Sequence, residues 1–195
     1  MVLLNKIYTR GGDGGETALG DGSRRRKDDL RVSAYGSVDE TNAFVGVARL
    51  SVGEVPGLKG LNEMLGRIQN DLFDLGADLC RPSSKEESAK NAPLRITVAQ
   101  VERLEREIDA LNEGLEPLRS FVLPGGSAAG THLHVARTVS RRAEREMVAL
   151  SHKEDVGAPA LHYINRLSDF LFVAARFANG ACAEGDVLWQ PGENR

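Results

Sequence analysis

From Leu58 onward the apolar side chains fall at Leu58, Leu61, Leu65, Ile68, Leu72, Leu75 and Leu79, in steps of three and four that alternate without a break. Only an α-helix brings residues at that spacing to one side, and so regular an alternation is the stripe of a bundle or coiled coil. Such a stripe has to be covered by other helices, and the rest of the chain supplies them. Ser37 and Glu40 in "SVDE" have capping-box spacing and predict a first helix that buries Phe44, Val47 and Leu50. The leucine stripe is the second helix. Thr97 and Gln100 have the same capping spacing ahead of Val101, Leu104, Ile108, Leu111 and Leu115, the third helix. A fourth is expected after the turn-rich "LPGGSAAG", from about Thr131 to Leu150, and a fifth from Pro159 to about Ala181. "RPSSKEESAKNAP", Arg81 to Pro93, is polar and proline-bounded and reads as a loop. Only the first 35 residues lack helical periodicity. Short connections between long amphipathic helices predict an all-α, up-and-down five-helix bundle over about 36–181, preceded by an extended glycine-rich segment over 1–35 in the same single domain of 1–195.

Charge and composition bound the function. Lys and Arg total 25 against 28 for Asp and Glu, a net of −3, so the surface as a whole does not attract nucleic acid or an anionic membrane. No apolar run approaches the ~20 residues of a membrane span, and the amino terminus lacks the order of a secretion signal, so an intracellular, cytoplasmic protein is expected. Cys80 and Cys182 stand singly within helical patterns, which suggests small buried apolar residues and neither a metal cluster nor a disulfide. A di-iron bundle would need glutamates three residues ahead of its histidines, and His132, His134, His152 and His162 all lack one.

Chemistry is concentrated in a loop and two helices. "YTRGGDGGETALGDGSRRRKDD", Tyr8 to Asp29, sets many glycines beside a knot of cations, where backbone can approach an anion closely. It is not a Walker loop, since no Gly-Lys-Ser/Thr ends the glycine run, and no strand is predicted before a helix there. Taken singly, "GGDGGET" is a common turn composition, and "RRRK", Arg24 to Lys27, a common solvated run. In "HVARTVSRRAERE", however, Arg137, Arg141 and Arg145 follow at i, i+4, i+8 and share one helix face. Each like-charged pair at that spacing costs roughly 0.2–0.5 kcal/mol, which makes sense where an anion or facing carboxylates compensate. Glu144, three residues beyond Arg141, offers a carboxylate to an arginine or to Mg²⁺. His132 and His134, two apart, cannot form a metal pair on one face and read as local hydrogen-bonding residues. In the fifth helix Asn165, Ser168 and Asp169 make a polar stripe beside the apolar Ile164, Leu167, Leu171 and Ala174, the pattern of a subunit contact or a site wall.

Five segments in order then carry a resemblance: "KIYTRGGDGGET", "RRKDDLRVSAYGSVDETNAFVG", "FVLPGG", "HVARTVSRRAERE" and "YINRLSDFLFVAAR". Over nearly the whole chain the sequence resembles the ATP:cob(I)alamin (corrinoid) adenosyltransferases of the propanediol-utilisation type. The resemblance implies a homotrimer of five-helix bundles that moves the 5′-deoxyadenosyl group of ATP onto cob(I)alamin and releases triphosphate, with Mg²⁺ as cofactor. It implies that ATP is bound between subunits by Thr9, Arg10, Gly11, Gly12, Asp13, Thr17 and Lys27 together with Arg137, Arg141, Arg142, Glu144, Arg145 and Asn165. Arg141 would stabilise charge on the leaving triphosphate, Glu144 would help hold the metal, and Asp39 would pair with Arg137 across the subunit interface. Phe121 would lie against the lower corrin face and exclude the axial ligand, leaving a four-coordinate Co(II) that is easier to reduce. Phe170 and Phe177 read as bundle packing. Family members write Lys-Thr-Gly-Asp-Lys-Gly where this chain has Arg10 to Gly15, so a lysine and a hydroxyl are missing and weaker ATP affinity is expected. A reductase and a B12-dependent acceptor enzyme are the implied partners. The alternative is a non-catalytic helical module that binds nucleotide or corrinoid without transferring adenosyl.

Overall fold

The computed structural model describes residues 7–83 and 92–195. Lys6 and most of the polar loop Arg81–Pro93 lie outside the described residues. Five α-helices run in chain order: α1 Leu30–Gly53, α2 Lys59–Cys80, α3 Val98–Asn112, α4 Ala128–Ser151 and α5 Ala158–Ala181. Every member of the leucine stripe of α2 is at most 2% exposed. Cross-helix bonds give the packing directions. On α1 and α2, Asn42 reaches Gln69 and Arg49 reaches Asn62, so one residue number rises as the other falls. The same inversion holds between α1 and α4 (Ser37 to Glu146, Ser51 to His132), between α2 and α3 (Arg67 to Glu107, Asp71 to Arg103), and between α4 and α5 (Glu144 to Asn165, Ser127 to Asn179). Neighbours along this ring, α2–α1–α4–α5–α3, are antiparallel wherever these bonds define them, as an up-and-down bundle requires. Among the described residues no helix is long and apolar enough to cross a membrane.

The first helix differs from expectation. It starts at Leu30, with the Asp29 carboxylate accepting from the Arg31 N–H at 2.8 Å as N-cap. Ser37 and Glu40 lie inside the helix, where Ser37 Oγ donates to Glu146 Oε2 at 2.7 Å and Glu40 pairs with Arg142. A spacing of three marks a capping box but also places two residues on one helix face, and here the face reading holds. The buried side is Ala34, Val38, Val45, Ala48 and Val52; Phe44 is half-buried, and Val47 and Leu50 are 40% and 72% exposed. In α3 the expected capping box forms, with the Thr97 N–H donating to Gln100 Oε1 at 2.9 Å. Leu115 falls just beyond that helix, half-buried against the core.

The glycine-rich segment contains two short strands, β1 Glu16–Ala18 and β2 Arg24–Arg26, paired antiparallel with Thr17 opposite Arg25. Three-residue strands are too short for a period-two pattern to register in sequence. Asp21 ties the turn by accepting from the N–H and Oγ of Ser23, and Gly22 takes a φ of +86°. The hairpin is anchored to the bundle by buried Leu19, by the Gly20 N–H on the Cys80 carbonyl at 2.8 Å, and by Arg25 on Glu154. Arg31, 2% exposed, strengthens this corner: its guanidinium donates to Glu154 and to the carbonyls of Leu79 and Asp155. Cys80 and Cys182 are free thiols, half-buried where full burial was expected.

Candidate active site

Helix α4 divides its charges between two sides. Arg142 and Glu146 turn to α1, where Glu40 and Ser37 take them. Glu144 turns to α5 and accepts from Asn165 Nδ2 at 2.7 Å through Oε1; among the described residues nothing hydrogen-bonds its Oε2. Arg141 and Arg145 are exposed, with Arg145 Nη1 on the Arg141 carbonyl at 3.1 Å. The guanidinium of Arg137, one turn earlier, has no ion-pair or hydrogen-bond partner among the described residues, and its Nε is buried. Burial, then the charge of Arg141, lowers its affinity for its proton below that of an ordinary guanidinium. A half-buried cation without a carboxylate is costly, and an anion or a second chain placed here would offset that cost. The structure thus brings Arg137, Arg141, Glu144, Arg145 and Asn165 together and turns Arg142 away from them.

Beside that row lies an apolar cavity of about 550 Å³, lined by Leu118, Ser120, Phe121, Val122, Arg137 and Phe172. Arg137 belongs to both the cationic row and the cavity. Phe121 is 77% exposed, an unfavourable placement for a large ring unless something covers it. Its segment is held from two directions. The carboxy-terminal segment pairs with it, Leu123 N–H on the Val187 carbonyl at 2.7 Å and Trp189 N–H on the Phe121 carbonyl at 2.8 Å, and the two rings lie 6.0 Å apart. From the other side Asn179, 1% exposed, accepts from the N–H and Oγ of Ser127 through Oδ1 and donates to the Gly125 carbonyl. Sequence reasoning missed Trp189 and Phe172; the one signal for the first was its being the chain's single tryptophan. Phe170 is fully buried and Phe177 packs against the core, as expected of bundle residues.

His134 is 2% exposed, and among the described residues neither ring nitrogen has a partner. It therefore departs from the hydrogen-bonding role expected of it, which His132 does fill with Ser51 Oγ at 2.8 Å. The His134 ring packs 6.2 Å from that of Phe172, and burial, then the Arg137 charge, pulls its pKa below 6.5, with Asp186 opposing. On α5, Ser168 is buried on the Asn165 carbonyl, while Asp169 is exposed.

The glycine-rich residues gather elsewhere. A Cβ on Gly12 would stand 3.1 Å from Lys27 Nζ, so backbone and ammonium are side by side as a phosphate cradle needs. Arg10 takes a φ of +61° with its guanidinium over the Tyr8 ring, Arg24 Nη2 donates to the Gly11 carbonyl at 2.8 Å, and Asp13 is exposed. The Thr17 side chain lies beside the half-buried Tyr35 of α1. Tyr35 and Asp39 line a cleft between α1 and α2. Ser37, which faces α4, is two positions from Tyr35, about 200° around the helix. Where it meets Tyr35, the hairpin is therefore on the side of α1 away from Glu146 of α4. Asp39 has no partner among the described residues.

Fold and site together define a helical-bundle protein with a row of arginines on one helix face beside an apolar wall. A family model described as cobalamin adenosyltransferase matches residues 7–178. The corrinoid adenosyltransferase of Mycobacterium tuberculosis is 50% identical over 196 residues, covering 100% of this chain and 97% of that protein. That of Bacillus subtilis is 42% identical, covering 95% and 92%. Among solved structures, a variant PduO-type ATP:corrinoid adenosyltransferase from Lactobacillus reuteri complexed with cobalamin and ATP superposes with a TM-score of 0.88 at 37% identity, covering 95% of this chain and 97% of that one. The chain belongs to the cobalamin adenosyltransferase family.

Proposed function

We infer that this protein is an ATP:corrinoid adenosyltransferase, moving the 5′-deoxyadenosyl group of ATP to cob(I)alamin with release of triphosphate. The observation that carries the reading is Arg137, which stands at once in the arginine row and in the wall of the apolar cavity. A triphosphate on the row and a corrin at the wall would bring the ribose and the cobalt together.

Cob(I)alamin needs no activating base. Its cobalt donates an electron pair to C5′, the C5′–O bond breaks, and that pair leaves with the triphosphate. The protein's part is position and charge. Arg141 and Arg145, exposed and without carboxylate partners among the described residues, are suited to the growing negative charge. Phe121 and Phe172 offer apolar surface to the corrin and keep water from its lower face. Mg²⁺, when bound, would neutralise part of the triphosphate charge. No group of three or more metal-ligating side chains occurs among the described residues, which suits an ion held by one carboxylate, Glu144, and by substrate phosphates.

The glycine loop, with Thr9, Arg10, Gly11, Gly12, Asp13, Thr17 and Lys27, would hold the same triphosphate. The hairpin meets α1 on the side away from Glu146 of α4, so a loop from one chain and an arginine row from a neighbour would together hold one ATP, in a homotrimer with the site between subunits. Arg137 and Asp39, of opposite charge and with side chains unpaired among the described residues, are suited to meet across that interface.

The deciding experiment is anaerobic: Mg-ATP and chemically reduced cob(I)alamin are mixed with the protein, and loss of the Co(I) absorption is followed. Turnover above the protein-free rate, giving a light-sensitive product, is expected. ATP binding with no turnover would overturn the transferase reading in favour of a binding module.

A further inference from the structure

We propose that Arg166 is a positioning residue of the adenosyl-transfer site, acting through Asn165 on the carboxylate of Glu144; this rests on the reading of Glu144 given above. An asparagine amide can present either its oxygen or its nitrogen to a neighbour, and something must decide which. Here Arg166 decides. A guanidinium has only donors, and Arg166 Nη1 donates to Asn165 Oδ1 at 2.7 Å. That leaves Nδ2 to face Glu144, which it meets at 2.7 Å. With the amide reversed, two acceptors would face each other on one side and two donors on the other. Arg166 is in turn aimed by Glu105 of α3, whose Oε1 accepts from Nε at 2.7 Å. A line of carboxylate, guanidinium, amide and carboxylate thus crosses from α3 over α5 to α4.

The outer pair is 38% and 46% exposed at its side chains, and so open an ion pair adds little to stability. What it sets is direction. With Oε1 held by the amide, Glu144 keeps Oε2 for the Mg²⁺ that would accompany the triphosphate. Partners of this kind, one step removed from a metal ligand, commonly matter about 10–100-fold in metal affinity or activity.

The test uses the full-length protein, with Mg-ATP binding measured by calorimetry over a Mg²⁺ series and with steady-state kinetics. Arg166→Ala should weaken Mg-ATP binding about tenfold, chiefly by raising the Mg²⁺ required, and leave the KM for corrinoid and the melting temperature near wild type. Arg166→Lys should lose less, because one ammonium can reach Asn165 but cannot span it and Glu105 as the fork does. In an Asn165→Ala background, Arg166→Ala should add nothing further, since its effect passes through that amide. Wild-type ATP parameters in Arg166→Ala, or a loss that adds in full to that of Asn165→Ala, overturn the proposal. Glu144→Gln, measured alongside, separates the two failures. If it too binds Mg-ATP normally, the assignment of Glu144 falls and takes Arg166 with it; if it is impaired while Arg166→Ala is normal, only the Arg166 proposal falls.

Discussion

Arg141 sits between Arg137 and Arg145 on one face of α4, exposed and, among the described residues, with no carboxylate to neutralise it. If it stabilises the departing triphosphate, Arg141→Ala should cost roughly 2–4 kcal/mol in barrier, seen as a fall in kcat with the fold unchanged by circular dichroism; near-normal turnover would remove it from that role. The role proposed for Phe121 belongs to a different step. Its ring stands out beside Trp189, so Phe121→Ala should slow reactions begun from Co(II) more than those begun from prereduced Co(I), and comparing the two rates decides it. His134 gives the protein a pH signature. Its pKa is lowered in the folded state by burial and by Arg137, with Asp186 too weak to reverse the shift, so the unfolded chain takes up the proton first. Stability contributed by the neutral imidazole is therefore complete above about pH 6.5 and is lost as pH falls from there through the lower folded value. Melting temperature should drop across that window in the wild type and less in His134→Gln; parallel curves would refute the assignment. No pattern of spacing distinguishes a histidine that bonds from one that is merely enclosed, and for that reason the sequence could not separate His134 from His132.

At the scale of elements, α2 and α3 were legible because a continuous stripe and a capping box are local signals. α1 was legible as a helix but not in its start, since Ser37 and Glu40 answer to α4 and not to their own backbone. The hairpin and the carboxy-terminal segment hold their places through single anchors such as Gly20 on Cys80 and Trp189 on Phe121, which leave no periodicity. The junction of α4 with α5 is the tightest of these. A Cβ on Gly130 would lie 2.1 Å from Asn179 Oδ1, an atom already committed to Ser127. Gly130→Ala should destabilise the protein by about 1–3 kcal/mol in urea denaturation. Gly60→Ala on α2, where the new methyl meets nothing within 4 Å, should instead stabilise by roughly 0.5–1 kcal/mol. Equal midpoints for the two would mean that the α4–α5 contact is looser than described.

For the whole molecule, the proposal of an ATP site shared between subunits has a consequence for assembly. A chain carrying Lys27→Ala and one carrying Arg141→Ala should each be impaired, yet refolded together they should regain activity, because a loop from one and an arginine from the other complete a site. Mixtures no better than their components, or an active monomer in sedimentation, would place the site within one chain. The sequence sufficed for the bundle: stripes of period three and a half admit one secondary structure, and burying them admits few packings. It also sufficed to single out the arginines of α4, since like charges stacked on a helix face are unfavourable without a partner. It could not say that Arg142 leaves that row for Glu40, that Arg166 reaches back to orient Asn165, or that Arg137 alone joins the row to the cavity. Those relations join residues distant in sequence, or adjacent on one helix yet turned to different neighbours, and they come into being only when the helices pack.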